Sequence, residues 1–209
     1  MLNITKNISK IISPFKNNRP KPLDTSKEFS LVVPLFVWND KIYFLFQIRS
    51  KNLSRQPGQI CFPGGALEKG ESLKEGAIRE TCEELGLKES NINIISQLDF
   101  LVSPYNIVLY PFLGIIYQNP NSLKVNKDEV SDTFTISLKE ALSLKPKLSI
   151  MDVEPIPKDD FPYELTGQGN NYNWSCGKYP IYFYQYKNKV IWGFTARIFK
   201  DVIEKLSDS

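Results

Sequence analysis

The chain is 209 residues long, which suits one domain or one domain with a large insertion. Hydrophobic residues make up 42% and charged residues 23%, a balance that excludes a disordered or collagen-like chain. The net charge of +3 is too mild to imply a nucleic-acid partner, and the longest apolar run, Leu31 to Trp38, is far short of the roughly 20 residues a membrane helix needs.

Met1 to about Thr25 carries Ile4, Ile8, Ile11 and Ile12 at helical spacing, so residues 1–25 are expected to be an arm or short helix ahead of a domain spanning 26–209. Phe29 to Trp38 and Ile42 to Ile48 are β-rich runs joined by Asn39-Asp40, which predicts a hairpin. Gln59 to Phe62 reads as a short strand broken by Pro63-Gly64-Gly65. Ser72 to Gly86 predicts a helix: Ser72 and Glu75 match a capping box, Gly86 suits a left-handed cap, and Ile78, Thr81, Cys82 and Leu85 form the inner stripe. Strands are expected at 93–100, 108–117 and 130–136, and a short helix at 138–144. Residues 145–179 read as an irregular insertion rich in proline. A second hairpin, Ile181 to Phe194, turns at Lys187-Asn188-Lys189. Thr195 is expected to cap a last helix whose face is Ile198, Phe199, Val202, Ile203 and Leu206. Without regular βαβ alternation, the fold class is α+β with a mixed sheet.

Histidine is absent, which removes every mechanism that needs an imidazole. The three cysteines are widely spaced and odd in number, so a disulfide framework or zinc site is not expected, and a reducing, cytoplasmic setting is. Carboxylates with an oxygen-seeking metal are the leading chemistry. Residues 65–87 supply them. Glu80, Glu83 and Glu84 are three and four residues apart, share a helix face and repel one another unless a cation sits among them. Gly64-Gly65 permits close backbone approach to a ligand, and Arg79 is placed to fix Glu80 through paired hydrogen bonds.

The spacing Gly65-x5-Glu71-x7-Arg79-Glu80-x2-Glu83-Glu84-x-Gly86-Leu87 resembles the signature box of the Nudix hydrolases. Thr81 stands where that family usually has an aliphatic residue. The resemblance implies the Nudix fold, a mixed sheet between helices, and hydrolysis of a nucleoside diphosphate linked to another group, with Mg²⁺ or Mn²⁺. It implies metal binding by Glu80, Glu84 and the Gly65 carbonyl, with Glu83 a ligand or acting through water. Arg79 would orient Glu80, and Glu71 and Gly86 would be structural.

Leu45 to Ser50, Pro57 to Gly65, Asp128-Glu129-Val130 and Ile191 to Ile198 resemble further segments of the coenzyme A pyrophosphatase branch. That branch splits coenzyme A, or a derivative, into 3′,5′-adenosine diphosphate and 4′-phosphopantetheine. Leu53-Ser54-Arg55-Gln56-Pro57-Gly58 departs from its usual Leu-Arg-x-His-x-Gly: Ser54 replaces the arginine and Gln56 the histidine. ADP-ribose, a dinucleotide or a nucleoside diphosphate sugar therefore stay open as substrates, as does a module that senses a nucleotide without cleaving it. Glu129 is the first choice for the base, and Arg49 and Arg55 are candidates for the substrate phosphates. The aromatics between Tyr172 and Phe194 either line a substrate channel or pack into the core and a homodimer face. Arg197 is expected in a structural ion pair.

Overall fold

Leu31 to Phe36 is apolar at every position because both faces of its strand are covered, the pattern of a central strand. In the computed structural model, which describes residues 12, 13, 16, 22, 23, 27–169 and 172–207, this run lies in β1 (Lys27–Trp38). Leu31, Val33 and Leu35 pack with Phe44, Phe46 and Phe199 in one core cluster. Val32 and Phe36, one residue out of phase, join Ala77, Tyr110 and Phe112, and Leu45, Leu85 and Ile116, on the other face.

β2 (Lys41–Arg49) turns back from β1 through Asn39 and Asp40. Both turn residues have positive φ, 48° and 57°, as a two-residue hairpin with the right twist requires. β3 (Ile60–Cys61) pairs β2, and β4 (Gly64–Ala66) pairs β1. β5 (Ile92–Gln97) and β6 (Leu101–Ser103) pair β7 (Ile107–Ile116), which runs parallel to β1. β8 (Val130–Ser137) pairs β2, completing an eight-stranded mixed sheet.

Three helices pack against that sheet. α1 (Leu73–Leu85) has the capping box expected of Ser72 and Glu75, and ends at Gly86 in the left-handed region, φ 65°. A methyl group at Gly86 would lie 2.2 Å from the Lys124 carbonyl oxygen, so glycine is required twice there. α2 (Leu138–Ser143) is short. The last helix, α3 (Gly193–Ser207), buries Ile198, Phe199, Val202 and Ile203, with Leu206 partly buried.

Three expectations differ from the structure. The region read as irregular contains β9 (Lys147–Val153), which pairs β10 (Gly177–Tyr186) and, through it, β11 (Lys189–Trp192), in a second sheet. The exposed, non-alternating side chains of β9 hide it. Thr195 does not cap the final helix: α3 begins at Gly193, and the Thr195 hydroxyl donates to the Ile60 carbonyl at 3.2 Å, tying the helix to β3. Phe194 therefore belongs to α3 and not to the hairpin. Ile4, Ile8 and Ile11 lie outside the described residues. No helix among the described residues is long and apolar enough to cross a membrane.

Candidate active site

α1 lays its side chains against the loop that precedes it. Arg79 is the hub: Nε donates to Glu71 Oε1 at 2.8 Å, Nη1 to Glu80 Oε1 at 2.9 Å and Glu83 Oε2 at 3.1 Å, and Nη2 to the Ala66 carbonyl at 3.2 Å. Glu71 also accepts from the Glu68 N–H, and the Arg79 guanidinium holds its carboxyl below the usual range. Glu71 and Arg79 thus lock the 66–72 loop onto the helix.

Glu80 and Glu83 converge on Arg79 Nη1, while Glu84 turns inward to a different partner. Glu84 is 3% exposed, and its Oε2 accepts from the Gly64 N–H at 2.8 Å. Burial pushes its carboxyl up to about 7, opposed by hydrogen bonds from Gln47 and the Gly64 N–H. Glu80 is half-buried, and burial raises its carboxyl while Arg79 pulls the other way. Its carboxyl group lies where a side chain of Gly65 would be: a Cβ there would fall 2.2 Å from Glu80 Cδ. Glu83 is the outlier. Its side chain is 55% exposed, faces Arg79 and does not line the cavity described next. The expected inner stripe is also shifted: Ala77, Thr81, Glu84 and Leu85 are buried, whereas Ile78 and Cys82 are only partly so.

A cavity of about 790 Å³ opens beside α1. Gly65, Glu80, Glu84, Glu129, Arg49 and Arg55 all line it. Glu129 comes from the residue before β8, and the backbone fixes it from both sides: its carbonyl accepts from the Ser50 N–H at 2.8 Å, and its N–H donates to the Asn126 carbonyl at 3.1 Å. The Asn126 N–H in turn donates to the Glu84 carbonyl at 3.0 Å, so the end of α1, the end of β2 and this loop are clamped together. The Arg49 Nε donates to the Arg55 carbonyl at 3.4 Å. The cavity lining also includes the apolar and aromatic side chains Tyr105, Ile107, Tyr179, Ile181, Trp192 and Phe194.

Among the described residues Arg197 does not form the ion pair expected of it; its guanidinium lies over the Tyr179 ring, 5.4 Å from the centroid. Sequence reasoning misses Gln47 and Cys61. Gln47 is the one polar side chain between Phe44 and Ile48, which is the signal that could have found it. Cys61 lines the cavity, and burial pushes its thiol up to about 11.

The donor set suits a hard divalent cation. Glu80, Glu84 and Glu129 offer carboxylate oxygens and Gly65 a carbonyl, the ligand class of Mg²⁺ and Mn²⁺ rather than of zinc. The desolvated Glu84 is a carboxylate whose charged form a cation would stabilise. Among the described residues no three acidic, cysteine or histidine side chains converge as a complete cage. Sites for Mg²⁺ usually take water and substrate phosphate for the remaining positions.

The chain belongs to the Nudix family: residues 29–158 match the NUDIX domain. Peroxisomal coenzyme A diphosphatase NUDT7 of Mus musculus is 29% identical over 156 residues, which cover 74% of this chain and 60% of that protein. The chain thus spans three fifths of that relative's length. The uncharacterized Nudix hydrolase NudL of Photorhabdus laumondii is 28% identical over 204 residues, covering 95% of this chain and 97% of the relative. The crystal structure of a MutT/nudix family protein from Enterococcus faecalis superposes over 97% of this chain and 70% of its own, with TM-score 0.54 and 15% identity. That likeness bears on the fold, an α+β mixed sheet between helices.

Proposed function

We propose that the protein hydrolyses the diphosphate bond of coenzyme A or a derivative, with Mg²⁺ or Mn²⁺, releasing 3′,5′-adenosine diphosphate and 4′-phosphopantetheine. One observation carries the reading: a single cavity is lined both by carboxylates and two arginines and by several apolar and aromatic side chains. A diphosphate joining a nucleotide to a long, weakly polar arm has that shape of chemistry. The name of the mouse relative points the same way.

In this reading Glu80, Glu84 and the Gly65 carbonyl hold the cation, with Glu83 acting through water. When bound, the cation makes water more acidic and offsets negative charge on the leaving phosphate. Arg79 keeps Glu80 in place through its 2.9 Å bond. Glu129 takes the proton of the attacking water at its carboxylate. Arg49 and Arg55 pair with phosphate oxygens, for which the guanidinium fork is suited. Residues 26–209 act as one domain, a view supported by the core cluster that runs from Leu31 to Ile203. The three free cysteines support a reducing, cytoplasmic setting.

The test is turnover with Mg²⁺ or Mn²⁺, products identified by mass, on coenzyme A, acetyl-coenzyme A, dephospho-coenzyme A, ADP-ribose, diadenosine polyphosphates and NADH. Glu84→Gln serves as the control. Best turnover of a coenzyme A form, lost in the control, is the expected result. Preference for ADP-ribose or a dinucleotide would overturn the substrate and make Gln56, which lines the cavity, the marker of the change. Tight binding without metal-dependent turnover would overturn the enzyme reading.

A further inference from the structure

Arg197 shares a recess of about 210 Å³ with Asp99 and with Asp201, one turn further along α3. An arginine beside two carboxylates is expected to pair with one of them. Lys205 takes both instead: its Nζ lies 2.8 Å from Asp99 Oδ2 and 2.7 Å from Asp201 Oδ2. The Arg197 guanidinium is left over the Tyr179 ring, 5.4 Å from the centroid.

Tyr179 belongs to the main cavity. It and Ile181 stand two residues apart in β10, so they share a face of the second sheet, and both line that cavity. Arg197 lines the recess and not the main cavity. The ring therefore stands between the guanidinium and the space open to a substrate. Tyr105, in the turn ahead of β7, also lines the cavity, and its ring lies 6.4 Å from that of Tyr179 at 74°. The Tyr105 N–H donates to the Ser103 hydroxyl at 3.0 Å, which holds that turn. A cation and a second ring thus brace Tyr179 where it meets the cavity.

An aliphatic arm needs no such bracing, because Ile107 and Ile181 already offer it apolar contact. A planar base uses it. A purine stacks on an aromatic face, and a cation behind that face draws electron density from the ring, which favours the stack with an electron-rich base.

We infer that Tyr179 is the platform on which the nucleotide base of the substrate stacks, and that Arg197 is a positioning residue that holds the Tyr179 ring for it. The inference rests on the proposed reading of the cavity as the site of a nucleoside diphosphate derivative.

The experiment is calorimetric titration of the full-length protein, with Mg²⁺ present, by 3′,5′-adenosine diphosphate and separately by 4′-phosphopantetheine. Thermal unfolding is followed on the same samples. Tyr179→Leu removes the ring and is expected to weaken the nucleotide about tenfold, the scale of one lost base–aromatic stack. Arg197→Met removes the cation, leaves the ring, and is expected to weaken the nucleotide about threefold. It also keeps the test open if Tyr179→Leu does not fold. Tyr179→Phe and Arg197→Lys restore ring and cation and should bind the nucleotide as the parent does. Binding of 4′-phosphopantetheine should stay within about twofold throughout, since it carries no base. Loss confined to 4′-phosphopantetheine would assign the ring to the arm and overturn the inference. Equal loss of both ligands would mean a collapsed cavity and a merely structural pair, and would overturn it too. If the parent hydrolyses coenzyme A while folded variants bind the nucleotide normally, the proposed function stands and the inference falls. If the parent binds neither ligand, both fall.

Discussion

Gly64 and Gly65 are adjacent, both in β4, and a single methyl group added to each should do different damage. At Gly65 the new Cβ would fall 2.2 to 2.4 Å from the three carboxyl atoms of Glu80, inside the 3.0 Å that real Cβ atoms keep. The obstacle is the far end of a flexible side chain, so the protein relaxes by swinging Glu80 aside. That move breaks the 2.9 Å bond to Arg79, a partly exposed pair of modest worth, about 1 kcal/mol or less. A displacement of about 1 Å in a catalytic group costs on the order of a hundredfold in rate. At Gly64 the new Cβ would meet Leu31 Cβ at 2.4 Å, the Ser30 carbonyl oxygen at 2.4 Å and Leu31 Cα at 2.5 Å, with φ at 153°. These atoms belong to the central strand or stand directly on it, and they cannot step aside. Overpacking and backbone strain together predict a loss of about 2–4 kcal/mol of stability. Metal-dependent turnover, Mn²⁺ binding and thermal unfolding, measured on both variants, separate the effects. Gly65→Ala should keep its unfolding temperature within a few degrees and lose metal binding and kcat. Gly64→Ala should unfold early. Parental kcat in Gly65→Ala would refute the placement of Glu80 at the reacting centre, and a fully stable Gly64→Ala would refute the packing of β4 on β1.

Three further outcomes are expected. Glu129→Gln should lower kcat by about 10²–10⁴, the range of general-base contributions. Its stability should be unchanged, because the backbone carbonyl and not the carboxylate holds Ser50; unaltered turnover would remove Glu129 as the base. Ser72→Ala removes the side-chain half of the capping box of α1 and should cost about 1 kcal/mol by denaturant unfolding, with no cost counting against the cap geometry. Cys61, its thiol pushed up to about 11 chiefly by burial, should resist alkylation at pH 8 while exposed Cys176 reacts first, as mass mapping would show. The folded state keeps this proton more tightly than the unfolded chain, whose thiol titrates near 9.0, so the contribution is complete below pH 9 and is lost as pH rises toward 11. A Cys61→Ala variant whose stability falls equally over that window would assign the loss to another group.

Local chemistry makes much of the fold legible. The Asn39-Asp40 turn and the α1 caps are short-range choices, decided by residues that touch one another, and both stand in the structure. β9 depends on long-range pairing instead. Its residues are almost all exposed, so no periodic pattern marks it, and its register with β10 comes from residues far along the chain, Lys147 facing Phe183 and Val153 facing Gly177. The start of α3 is hard to place for a related reason. Thr195 has the chemistry of a cap, but β3 supplies an acceptor for its hydroxyl that no local reading reveals.

The box is the instructive case, because spacing and polarity disagree there. Ala77, Thr81 and Glu84 stand at offsets of four and seven, which is one face of a helix, and all three are buried. Position alone therefore puts Glu84 inside. Its charge suggests a shared acidic face with Glu83, yet the structure sends Glu83 outward to Arg79 and Glu84 inward to the Gly64 N–H. A carboxylate on an inward stripe violates the binary pattern and is costly unless donors or a cation meet it. The violation is itself the signal. It singles out Glu84 from its neighbour, and the same test applied to β2 singles out Gln47, a fully buried polar residue in an apolar strand.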